Sequence, residues 1–349
     1  MKIDNPFSLT FGMLPYQVIG RYEEKNNCVS MFTAENAVSH VFLIEGIRGS
    51  GKTVLMTAIS EDLCQNRDWI GVDLNPTMDL LENLAESLSN EVHRLPDIFE
   101  KGFSVSFAGF GVGVNGGRQQ SAIGVIEDVL DYLKKKGKKL VITIDEVMSS
   151  QNMRVFASQF QIFLRKGYPV FLIMTGLYEN IFSIQNDDSL TFLLRSPKVS
   201  LAPLSLMQIA VQYEDIFSTD RETAMKMARE TKGYAFAFQA LGMLVWEKGI
   251  KSFQKADRHL YTEYDSLLDD FAYRKIWSEL SKKEQEILLA MEDDRDMKAS
   301  EISAASNISG NLYSQYRKKL LDKGLLISPS YGYVALALPR FKRVCSYYV

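Results

Sequence analysis

The chain carries Gly46, Gly51, Lys52 and Thr53 in the spacing G-x-x-x-x-G-K-[ST], within the run Gly46-Ile47-Arg48-Gly49-Ser50-Gly51-Lys52-Thr53. These residue types at this spacing suit the holding of phosphate. Glycines let the backbone wrap an anion and turn its N–H groups inward, and a helix that follows adds the positive end of its dipole. The lining of such a loop is Gly46, Arg48, Gly49, Ser50, Gly51, Lys52, Thr53 and Val54. Lys52 would reach the β- and γ-phosphates of a nucleotide, and the Thr53 hydroxyl would hold Mg²⁺.

Breaking a phosphoanhydride also needs a metal anchor and an oriented water. The run Leu140-Val141-Ile142-Thr143-Ile144 ends in Asp145-Glu146. Such a run predicts a central parallel strand, and open α/β sheets gather their ligands at strand C-termini. Asp145 is the candidate for Mg²⁺ and Glu146 the candidate that polarises water. The next apolar run, Val170 to Met174, ends on Thr175, whose hydroxyl could touch the γ-phosphate or the water. Arg195 precedes a further short run, Lys198-Val199-Ser200-Leu201, and a planar guanidinium there suits transition-state phosphoryl charge. A β-favouring threonine and a surface ion pair are the plainer readings of Thr175 and Arg195.

These residues need a scaffold of alternating elements. The pattern predicts strands at 40–45, 68–73, 139–145 and 169–175, with helices at 52–65, 77–93, 121–136 and 151–166. Alternation of this kind argues for a parallel sheet with helices on both faces, an α/β fold. A glycine-rich stretch, 103–117, interrupts the rhythm as either a β-hairpin or a loop. Beyond Leu204 the strand signals stop, and helices are expected at 205–217, 220–231, 234–248 and 256–271. The last segment begins with a capping box, Ser281-Lys282-Lys283-Glu284. Helices to Met291, at 299–305 and at 311–322 are then followed by a β-hairpin through Leu325–Ser328 and Tyr331–Leu336. That order is the order of a winged helix-turn-helix. The expected division is a sheet domain at 1–203, a helical subdomain at 204–272 and a winged helix at 273–349.

Charge separates the C-terminal segment from the rest. From Lys298 to Val349 eight bases face two acids, a surplus of +6 on a chain whose net charge is −3. A basic module on an acidic body suggests an anionic partner, duplex DNA first. Asn311, Gln315, Arg317, Lys318 and Lys319 on the third helix are side chains of the kind that read bases or hold phosphates. The alternative is a basic face packed against acids of its own chain. The three cysteines and three histidines are scattered and carry no metal-ligand spacing, which argues against a metal hydrolase and for a reducing compartment. The opening residues lack the apolar core of a secretion signal, and no apolar run approaches membrane length, so a cytoplasmic protein is expected.

Taken in order, these motifs resemble an AAA-type ATPase with a C-terminal winged helix, as in the origin-recognition-like and STAND-related ATP-binding proteins of prokaryotes. Asn5-Pro6-Phe7, Phe11-Gly12, Pro15 and Ile19-Gly20-Arg21 are similar to that family's N-terminal box. The resemblance implies that this box lines the adenine, which assigns Ile19, Gly20 and Arg21 to the nucleotide. The segment Leu194 to Leu204 looks like the family's passage from arginine finger to helical lid, and the helix opening at Tyr234 like its lid helix, which adds Tyr234 to the nucleotide contacts. One departure stands out: the family opens that helix Gly-Gly-Tyr-Pro-Tyr, whereas this chain has Lys232-Gly233-Tyr234-Ala235-Phe236 and no arginine afterwards to act as a second sensor. The resemblance implies ATP and Mg²⁺ as ligands, ATP hydrolysis coupled to the winged helix, and a possible homo-oligomer or protein partner. A nucleotide-gated interaction scaffold with little turnover is the competing reading. A small-molecule kinase shares the loop but leaves the C-terminal half without a role.

Overall fold

The structure, a computed structural model, describes residues 5–10, 20–94 and 121–348. The glycine-rich stretch 103–117 and part of the N-terminal box, including Phe11, Gly12, Pro15 and Ile19, lie outside the described residues. Two compact units are formed. One contains Tyr22–Glu45 and Leu55–Val199; the other contains the described part of Met1–Arg21, Gly46–Val54 and Ser200–Val349.

The first unit is built on a five-stranded sheet. Its strands are β1 (Val41–Glu45), β2 (Trp69–Leu74), β3 (Lys139–Ile144), β4 (Val170–Gly176) and β5 (Lys198–Ser200), in the order β2-β3-β4-β1-β5. The β2–β3, β3–β4 and β4–β1 pairs are parallel. Six helices accompany them: α1 (Tyr22–Thr33), α2 (Lys52–Cys64), α3 (Leu80–Arg94), α4 (Ala122–Lys135), α5 (Gln151–Arg165) and α6 (Tyr178–Gln185). Strands β1, β3 and β4 are almost wholly buried, as a sheet covered on both faces requires. Alternate residues divide the work. Val41, Leu43, Ile70, Val72, Leu140, Ile142, Val170 and Leu172 join one core with the apolar stripes of α3, α4 and α5, such as Leu84, Val129 and Phe160. On the opposite face Phe171 is surrounded by Phe32 of α1, His40 and Trp69. Ser121 and Ser150 start α4 and α5 by accepting the Gly124 and Met153 N–H groups.

The second unit is mainly helical. It holds α7 (Leu206–Phe217), α8 (Arg221–Glu230), α9 (Ala235–Lys248), α10 (Ile250–Gln254) and α11 (Arg258–Leu268), then a π-helical turn, Asp269–Tyr273, that leads without interruption into α12 (Arg274–Ser278). There follow α13 (Lys282–Leu289), β6 (Met297–Lys298), α14 (Ala299–Ala305), α15 (Gly310–Asp322), β7 (Leu326–Ile327), β8 (Tyr333–Leu336) and α16 (Phe341–Cys345). Both bonds of the Ser281–Glu284 capping box are formed at the start of α13. The three short strands make an antiparallel sheet ordered β6-β8-β7. One hydrophobic core runs through the unit, from Phe7, Tyr213 and Leu241 to Tyr273, Leu320 and Phe341.

Polar bonds anchor residues 339–343 to α11, to the π-helical turn and to the stretch after α13. Asp265 of α11 accepts from Nε and Nη2 of Arg340, the latter at 2.8 Å, and from Nε of Arg343 at 3.1 Å. Tyr273 donates to the Pro339 carbonyl at 2.6 Å. The Asp293 carboxylate accepts the N–H groups of Lys342 and Arg343 and so closes the first turn of α16. Among the described residues no helix is long and apolar enough to cross a membrane.

Candidate functional site

The strand β1 ends at Glu45, the loop Gly46–Gly51 follows, and α2 opens on Lys52-Thr53. This is the strand, turn and helix that the motif requires. The loop needs its glycines: Gly49 has φ 70° and Gly51 φ 91°, in the left-handed region that side chains disfavour. The Ser50 N–H donates to the Ile47 carbonyl within the turn. Lys52 as a residue is 6% exposed, and its ammonium donates to that same carbonyl at 3.0 Å. A buried ammonium lying over the turn, beside glycine backbone at a helix start, is a donor set that fits a polyphosphate. Thr53 is the second residue of α2 and Val54 the third, with Gly46 at the mouth of the loop.

Three groups from elsewhere in the second unit hold this loop. The Arg21 guanidinium is buried and donates to the carbonyls of Ala202, at 2.6 Å, and of Ser50, at 3.5 Å. Gly20 precedes it with φ 61°. The Tyr234 hydroxyl donates to the Arg48 carbonyl at 2.7 Å, and the Phe236 N–H donates to the Gly49 carbonyl at 3.0 Å. Burial pushes the Tyr234 hydroxyl far above the usual phenol range, partly offset by the charge of Arg48, so it stays a donor at any working pH. The Arg48 side chain itself reaches Glu279, after α12, at 3.5 Å. Of the residues expected at the nucleotide, Gly20, Arg21, Gly46, Arg48, Gly49, Ser50, Gly51, Lys52, Thr53, Val54 and Tyr234 are thus gathered in one unit.

Asp145, Glu146 and Thr175 belong to the sheet unit and are joined there. Asp145 follows the last residue of β3, and Thr175 lies near the end of the neighbouring β4. The Thr175 hydroxyl is buried and donates to Asp145 Oδ1. The Glu146 N–H donates to Thr175 Oγ1 at 3.2 Å and to Asp145 Oδ1 at 3.1 Å. These bonds fix one carboxylate and leave the Glu146 side chain exposed beyond it. Glu146 itself has φ 52°, a left-handed backbone rare for glutamate. Arg195 is exposed at the end of the 3₁₀ segment Asp188–Arg195.

Two charged groups of this region escaped the sequence reading. Glu45, the last residue of β1, is 3% exposed, and its Oε2 lies 3.2 Å from Lys198 Nζ at the start of β5. An acid that closes an otherwise apolar strand was the only signal available. Asp73 accepts the Thr143 hydroxyl across the β2–β3 register, a pair with no sequence signature at all.

On α15, Asn311, Gln315, Lys318 and Lys319 are exposed and Arg317 is half-buried. The basic surplus of the segment is partly internal: Arg340 and Arg343 pair with Asp265, and Lys323 with Glu284 at 2.7 Å.

Comparison with known proteins bears on the fold. A Walker-type ATPase of Pyrococcus abyssi superposes with a TM-score of 0.67 at 16% identity, over 97% of this chain and 99% of that one. The ORC2 protein of Aeropyrum pernix, solved in complexes with ADPNP and ADP, gives 0.61 at 14% identity, over 97% and 96%. Residues 270–344 match a family model described as "Domain of unknown function (DUF8462)". No curated protein matches the chain. The chain has an α/β P-loop NTPase fold.

Proposed function

We propose that this chain binds ATP with Mg²⁺, hydrolyses it, and couples the nucleotide state to a C-terminal winged helix that binds duplex DNA. The observation that carries the reading is the Gly46–Thr53 loop, with its two left-handed glycines between a buried strand and a helix start. Backbone N–H groups of the loop and the Lys52 ammonium hold the phosphates. Thr53 and Asp145 would hold the metal, which would supply charge neutralisation on the phosphoryl oxygens. Glu146 accepts a proton from the attacking water, at the end of a backbone that Asp145 and Thr175 fix in place. Arg195 is exposed and so able to meet a phosphate from its own chain or a neighbouring copy. The family resemblance assigns Ile19, Gly20 and Arg21 to the base end of the ligand.

The segment α13, β6, α14, α15, β7, β8 follows the order of a winged helix. Its α15 would enter the major groove with Asn311, Gln315, Lys318 and Lys319, and Arg317 would assist from the edge of that face. The test is steady-state ATP hydrolysis by the purified chain with and without duplex DNA, with Glu146→Gln as the blank. Turnover above the blank that DNA stimulates is the expected result. Turnover equal to the blank under both conditions would remove hydrolysis from the proposal.

A second reading has its own observation. The lid helix α9 contains no arginine, so a sensing charge from the lid is missing. That favours a nucleotide-gated scaffold with little intrinsic turnover, which would bind ATP tightly and retain it without DNA or a partner.

A further inference from the structure

The loop's carbonyl groups are where the structure says most that the motif does not. In a phosphate-binding loop the N–H groups do the binding, and each peptide plane that turns an N–H toward the ligand turns its carbonyl away. Those carbonyls need donors if the loop is to keep one shape. Here the donors for two consecutive ones, Arg48 and Gly49, are the Tyr234 hydroxyl and the Phe236 N–H. Both come from the start of α9, 186 residues away in the chain for the Tyr234 bond.

The fit around this contact is close. A Cβ built on Gly49 would lie 2.3 Å from the Tyr234 hydroxyl oxygen and 2.9 Å from Phe236 Cβ, so only glycine permits the approach. The Tyr234 ring is buried and stacks on Tyr273 with centroids 6.3 Å apart. Tyr273 in turn is anchored on the Pro339 carbonyl and packs edge-on against Phe341. The hydroxyl is therefore held in place from beneath by the C-terminal part of the same unit.

We propose that Tyr234 is a positioning residue of the phosphate cradle, whose hydroxyl fixes the Arg48 peptide so that the loop is preorganised for a polyphosphate. This rests on the reading of Gly46–Thr53 as a nucleotide loop. It differs from the role that family resemblance assigns to Tyr234, a contact with the nucleotide itself. The two roles predict different ligand dependence. A residue that shapes the cradle matters to any ligand with the phosphate chain, and a residue that touches the base matters only when a base is present.

The experiment is calorimetric titration of the full chain with Mg²⁺–ATP and, separately, with inorganic triphosphate. It uses the wild type, Tyr234→Phe, Gly49→Ala and Lys52→Ala. Tyr234→Phe removes one hydroxyl and keeps the ring. It should weaken ATP and triphosphate by the same factor, roughly three- to ten-fold, as one hydrogen bond to the loop implies. The lost buried hydrogen bond should also lower its unfolding midpoint without ligand, so affinities are compared well below that midpoint, where a purely structural role would leave both ligands at the wild-type value. Gly49→Ala, which collides with the same hydroxyl, should weaken both ligands more. A Tyr234→Phe loss confined to ATP would move the hydroxyl to the base, and no loss with either ligand would make it inert; each overturns the proposal. Lys52→Ala reports on the underlying reading separately: wild-type affinity in that variant overturns the loop assignment whatever Tyr234 does.

Discussion

The two groups of residues proposed to meet the nucleotide are held in opposite ways, each within its own unit. The acidic half is local: Asp145, Glu146 and Thr175 sit at the C-terminal ends of the neighbouring inner strands β3 and β4 and satisfy one another there. The loop half is held from a distance, by Arg21 near the N-terminus and by Tyr234 and Phe236 at the start of α9. The difference teaches where rigidity comes from. A strand end inherits its position from the sheet ladder, whereas a glycine loop has no ladder and must be pinned by donors that meet its carbonyls.

Substitutions can break this comparison or sharpen it. The largest effect is expected at the acidic half: Glu146→Gln should lower ATP turnover by about 10²–10⁴-fold, the usual contribution of a positioned base. Its ATP affinity should stay at the wild-type value in a binding titration. At the loop half, Lys52→Ala should weaken ATP binding by roughly ten- to a hundred-fold, through the loss of charged hydrogen bonds. Turnover extrapolated to saturating ATP would then separate binding from chemistry. Thr175→Val should lower turnover roughly ten-fold, with Thr175→Ser restoring most of it, because the hydroxyl holds the Asp145 carboxylate and the Glu146 N–H together. If Thr175→Val changed affinity and left turnover intact, the two halves would not divide into binding and chemistry. A further effect is one of stability: Lys198→Met leaves the buried Glu45 carboxylate without this cation and should cost about 1–3 kcal/mol in a denaturant titration.

Much of the scaffold was readable in advance because its signals are dense. The runs at 41–45, 139–144 and 170–176 are short, apolar and followed by the chemistry they carry. The helices from α3 to α5 have clear apolar stripes, and serine caps mark the starts of α4 and α5. The elements without such signals were missed. The helices α6, α10, α12 and α16 are too short to show a helical period, and β6 is only two residues long. The site divides along the same line. Lys52, Asp145 and Glu146 announce themselves by type and spacing, whereas the bond from Tyr234 to Arg48 joins residues with no pattern between them. Charge counting was the least reliable guide. It left open a face for an anionic partner and a face packed on acids of the same chain, and Arg340 and Arg343 take the second course, pairing with Asp265 of α11.

The backbone at Glu146 has a consequence for how this chain trades folding against chemistry. A glutamate at φ 52° occupies a conformation that glycine adopts without steric cost. Glu146→Gly should therefore fold to a protein more resistant to heat, by about 0.5–1 kcal/mol, while taking away the carboxylate. A thermal melt set beside a turnover assay would read both at once. The residue is then a small weakness of the fold, which would gain by giving it up, while on the proposed reading the reaction would lose its base.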